Sequence, residues 1–157
     1  MFVPYSEIAD SSRVWIYQSD KELSDNEVVF IQQKLLAFCN DWKAHQAHLK
    51  SSYRVLHNRF IILVVDEQQL NASGCSIDSS VKVIKEIESE FGIDLFNRTQ
   101  IAFEQEDGAI KTLSIPEFKK VVQENTIVFN NLVATKADLE QAWRTAAKNS
   151  WHAKFLA

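Results

Sequence analysis

The chain has 157 residues, 17 basic against 21 acidic for a formal charge of −4, and 46% of it is hydrophobic. At this size and composition a folded chain buries roughly two-thirds of its unfolded surface, which excludes disorder and removes any need for disulfides or a structural metal. The mild acidity, with no cluster of Lys and Arg, lacks the electrostatic footprint of phosphate-backbone binding, so nucleic acid is not expected as a partner.

The longest apolar run, residues 60–65, is far short of the roughly 18 to 20 residues that span a bilayer, so no membrane segment is expected. The N-terminal M-F-V-P-Y-S-E meets Glu7 and Asp10 before its first basic residue, Arg13, and has no continuous apolar stretch. That is not a secretory signal, and the expected location is cytoplasmic. Two cysteines, Cys39 and Cys75, do not define a disulfide framework and read as free thiols.

Residues 13–18 (R-V-W-I-Y-Q) read as strand one. Ser24 opens helix one with the capping-box pattern Ser24-x-x-Glu27, and Val28, Ile31, Leu35, Phe38, Cys39 and Trp42 form its apolar stripe. Residues 53–57 and 60–66 are strands two and three, joined at Asn58-Arg59, where Asn tolerates positive φ. After a polar loop, Ile77, Val81, Ile84, Ile87 and Phe91 mark helix two, closed by Gly92 as a left-handed cap. Residues 99–104 and 109–113 flank Asp107-Gly108 as a second hairpin. Ser114-x-x-Glu117 opens a short third helix, residues 126–132 form a last strand, and Thr135-x-x-Asp138 caps a fourth helix carrying Leu139, Ala142, Trp143 and Ala146. No repeat or linker interrupts residues 1–157, which read as a single α+β domain.

The first six elements follow the β-α-β-β-α-β order of the ferredoxin-like split core, extended by the second hairpin and two C-terminal helices. Right-handed crossovers predict strand order 4-1-3-2. One end of that sheet gathers His57, Asn58, Arg59, Asn97 and Arg98 as a polar, basic rim. The other gathers the end of helix one (Trp42, His45, His48), Asp66 and Glu67, and the loop at 72–80.

The residues V-V-D-E, then A-S-G-C-S-I-D-S-S-V, F-N-N-L-V-A-T-K and the terminal S-W-H-x-K-F resemble a small protein family of Bacteroidota, over nearly the whole chain. Members often carry the automatic label "ABC transporter ATPase", and the resemblance implies no particular activity. A Walker A loop needs G-x-x-x-x-G-K-[ST] to wrap phosphates in backbone N–H groups. The three glycines, Gly74, Gly92 and Gly108, are isolated and none precedes Lys. The chain is therefore not expected to be an ATPase, and no cofactor is implied.

Candidate site residues cluster in the loop at 72–80. Ser73, Gly74, Ser76 and Asp78 stand beside Cys75 at a helix N-terminus, whose free N–H groups bind anions or lower a thiol pKa. With Trp42 and His48 they form the expected ligand site of a soluble binding or interaction domain, its partner a small ligand or a protein. The alternative is a cysteine-dependent enzyme in which Cys75 is the nucleophile, His45 or His48 the base, and Asp66 the orienting group. The spacing His45-x-x-His48, without a second pair, is too thin to assign a metal. Trp151-His152, close to the C-terminus, reads as a tail anchored onto the domain or onto a second subunit of a homo-oligomer.

Overall fold

The computed structural model describes every residue from Met1 to Ala157. Two units emerge, one of Met1–Phe96 with Ala134–Lys136, the other of Asn97–Val133 with Ala137–Ala157. The architecture is mixed, with four α-helices and three small antiparallel sheets.

The first unit contains β1 (Arg13–Gln18), α1 (Asp25–Asp41), β2 (Lys43–Ala44), β3 (Ala47–His48), β4 (Lys50–Leu56), β5 (Phe60–Asp66) and α2 (Gly74–Phe91). Its main sheet has the order β1-β5-β4. The central strand β5 is the unbroken apolar run, and all six residues before Asp66 are buried, as a strand covered on both faces requires. Ile61, Leu63 and Val65 pack with Ile31, Leu35 and Cys39 of α1 and Ile84 and Ile87 of α2 in one core. His57 and Asn58 join β4 to β5 with φ of 54° and 51°, the positive pair that a type I′ turn demands.

The three-strand part of the expected order is present, with strands one and two flanking strand three. The fourth strand is not beside strand one, so the ferredoxin-like order 4-1-3-2 is not completed. The outer edge of β1 is already occupied by the late segment Ala134–Lys136. Val14 N–H donates to Ala134 O at 2.9 Å, Lys136 N–H donates to Ser12 O at 2.8 Å, and Arg13 bridges Thr135. The Lys136 ammonium, 4% exposed, donates to the Tyr5 and Ile8 carbonyls, both at 2.8 Å, and locks that segment in place.

A second correction concerns the end of helix one. α1 stops at Asp41, and Trp42 is an extended C-cap. His45 and His48 are not on a helix. They belong to the β2–β3 hairpin, whose turn residues His45 and Gln46 have φ of 51° and 66°. The cause is Trp42, drawn into the core, while Leu49 N–H donates to Trp42 O at 2.9 Å and closes the hairpin against it.

The second unit contains β6 (Gln100–Glu104), β7 (Ile110–Ser114), α3 (Ile115–Val121), β8 (Ile127–Phe129), most of α4 (Lys136–Ala142), β9 (Arg144–Ala146) and a 3-10 turn at Trp151–Phe155. Its sheet has the order β7-β6-β8-β9, and strand four of the expected core is β6. Arg144–Ala146 is a strand, so Ala146 does not continue the fourth helix; it pairs with Ile127 and completes the sheet edge. Ile101, Phe103, Phe118, Val128 and Phe155 form the core. Trp151 and His152 dock on their own unit, Trp151 stacked on His152 at 3.9 Å and the imidazole edge-on to Phe118 at 6.1 Å.

Candidate functional site

α2 begins at Gly74, about two turns earlier than a loop at 72–80 allows, so Cys75 and Ser76 lie within its first turn. Ser73 is the N-cap: its hydroxyl accepts from Ser76 N–H at 3.1 Å, and Ser76 Oγ accepts from Ser73 N–H at 2.7 Å. Ser76 thus fills the role that Glu or Gln fills in a capping box. Asp78, expected to help satisfy the helix end, is exposed and takes no part in the cap. A Cβ at Gly74 would meet nothing within 4 Å, so no close approach requires that glycine.

Trp42 and Ser76 are brought together as expected, the indole N–H donating to Ser76 O at 2.8 Å. That bond joins the end of α1 to the start of α2 and commits the indole N–H to structure. Cys75 is exposed, and its carbonyl accepts from Ser79 Oγ at 3.0 Å. His45 is exposed at the hairpin tip and hydrogen-bonds neither Cys75 nor Asp66. No hydrogen bond links Cys75, His45, His48 and Asp66 to one another. No three His, Cys, Asp or Glu side chains group in a way that holds a metal. Cys39 is fully buried, and burial pushes its thiol up to about 11, the behaviour of an inert core cysteine.

Elsewhere in the first unit lies a cleft of about 160 Å³ lined by Met1, His48, Lys50, Asp66, Gln68, Gln69 and Leu70. Two of the expected residues, His48 and Asp66, meet there. The antiparallel register sets Lys50 directly opposite Asp66, so both side chains leave the same face of the sheet. They form no ion pair within 4.0 Å. Asp66 Oδ1 accepts from Gln68 N–H at 3.0 Å, and Glu67 Oε2 accepts from Ala72 N–H at 2.8 Å, which fixes the wall that carries Gln68 to Leu70.

Met1, Lys50, Gln68, Gln69 and Leu70 were not among the residues expected from the sequence. A signal for Lys50 existed, since counting the hairpin back from Leu56↔Phe60 reaches Lys50↔Asp66. A wider concavity, about 900 Å³, lies in the second unit and is lined by Phe103, Leu113, Val121 and Ile127 among others. Its rim carboxylate Glu104 is already held at both oxygens by Arg144, at 2.6 and 2.7 Å. Comparison with family models, with curated proteins and with solved structures finds no match to this chain.

Proposed function

We propose that the protein is a non-catalytic binding domain whose ligand site is the cleft bounded by His48, Lys50, Asp66 and Gln68. One observation carries this reading: Lys50 and Asp66 stand side by side in the lining of one cavity without pairing, whereas the donors and acceptors around Cys75 are spent on the helix cap. Unpaired opposite charges over a small concavity are groups left for a ligand. The reading includes no ATP hydrolysis, since Gly74, Gly92 and Gly108 build no phosphate loop. It also places the protein in the reducing cytoplasm, in keeping with two unpaired thiols.

Thiol labelling followed by mass spectrometry tests it against the cysteine-dependent alternative. Cys75 is expected to alkylate near neutral pH no faster than a model thiol, and Cys39 to stay unmodified until the chain unfolds. Accelerated alkylation of Cys75 that falls away in His45→Ala or His48→Ala would replace the binding reading with an enzyme.

A further inference from the structure

We infer that the Lys50–Asp66 cleft takes a small zwitterion, a molecule with one carboxylate and one ammonium group at the size of a free α-amino acid. The inference rests on the reading of this cleft as a ligand site and adds the class of ligand. Its basis is charge balance along the cleft. Met1 also lines it, but its ammonium donates to the Cys39 and Leu49 carbonyls at 3.1 and 2.7 Å. That leaves the Lys50 ammonium at the start of β4 and the Asp66 carboxylate at the end of β5, direct cross-strand partners. Neither finds an ion-pair partner in the protein.

A simple anion attracted to Lys50 is opposed by Asp66, and a simple cation attracted to Asp66 is opposed by Lys50. A molecule carrying both charges satisfies both groups at once, each contact being a charge-assisted hydrogen bond. The volume of about 160 Å³ admits a few heavy atoms and excludes a nucleotide or a folded partner. Around the charges, His48 and Gln69 add hydrogen-bonding capacity, and Leu70 adds an apolar surface for a short side chain. The Asp66 carboxylate is oriented in advance by Gln68 N–H, which reduces what the ligand must order on binding. The competing arrangement, Lys50 swinging across to Asp66, is a half-exposed cross-strand pair, a weak contact that a ligand displaces readily.

The test is a two-dimensional amide NMR titration of the intact chain with glycine, L-alanine and L-glutamate. Sodium acetate and methylammonium chloride serve as single-charge controls. Saturable shifts at Lys50, Asp66, Gln68 and Leu70 are expected with at least one amino acid and with neither control. Lys50→Met and Asp66→Asn are each expected to weaken that binding by about tenfold, the loss of one charge-assisted contact, while Lys50→Arg retains it. Equal shifts from acetate or methylammonium would overturn the zwitterion and leave a ligand cleft. No shift at these residues with any probe would overturn both. A loss of binding in Lys50→Arg equal to that in Lys50→Met would show that the cation is not the recognised feature.

Discussion

Acidification is expected to weaken the second unit through one residue, His152. Its side chain is 1% exposed, enclosed by Trp151, Phe118 and Phe155, and its Nδ1 lies 2.6 Å from Ser150 Oγ. Burial, with a smaller contribution from the Lys154 charge, lowers its pKa from 6.5 to about 4. The folded protein therefore holds His152 neutral where the unfolded chain binds a proton. Stability from this site is fully present above pH 6.5 and drains away as pH falls towards 4. Between pH 7 and 4.5 the loss is on the order of 2–3 kcal/mol. The stacked Trp151 face would return part of this to the imidazolium, about 0.5–2 kcal/mol, less than the burial cost. Carboxylates titrate over the same range, so the informative quantity is a difference. Urea unfolding followed by circular dichroism at several pH values, for the natural chain and for His152→Phe, should show the variant losing less stability on acidification by that amount. Proton NMR of the natural chain should show the His152 imidazole silent until near pH 4. Parallel stability profiles, or a His152 titration near 6.5, would refute the reasoning.

Two further outcomes test the local structure around the first unit's helices. Ser73→Ala removes the hydroxyl that accepts from Ser76 N–H and should cost about 1 kcal/mol in urea unfolding, with Ser76 amide exchange accelerated. Gly92 ends α2 at φ of 61° with its N–H donating to Glu88 O, and a Cβ there meets nothing, so Gly92→Ala should cost about 1–2 kcal/mol through backbone strain alone, read from the same unfolding curves.

What was legible in the sequence was local. The Ser24-x-x-Glu27 box, the Asn58 turn, the Gly92 cap and the apolar run of β5 each sit in a few adjacent residues, and each appears where its pattern placed it. Strand partnership was not local. Nothing in residues 99–104 distinguishes pairing with β1 from pairing with β7 and β8, and the edge of β1 is taken by three residues from much later in the chain. The β2–β3 hairpin was hidden for a different reason: His45-Gln46 carries no Gly or Asn, and helical periodicity runs smoothly from Trp42 to His45. Lys50 was missed because K-S-S reads as loop, although Ser51 and Ser52 are fully buried within β4. The histidine and carboxylate half of the cleft was visible; its cation was not.

The Lys136 clip has a consequence for how the chain can be cut and made. The contact from Lys136 to Ile8 spans 128 positions, so the first unit is not a stretch of sequence. A ribosome that has released residues up to Phe96 has supplied β1, β5, β4 and both long helices, yet β1 still presents a bare row of backbone groups, an invitation to pairing between nascent chains. Closing so long a loop costs little more than closing one half its length, about 0.6 kcal/mol per doubling, so the delay lies in synthesis more than in thermodynamics. A fragment ending at Phe96 would keep the core and lose the strap that seals its edge, and for this protein the N-terminal piece is the one prone to aggregate.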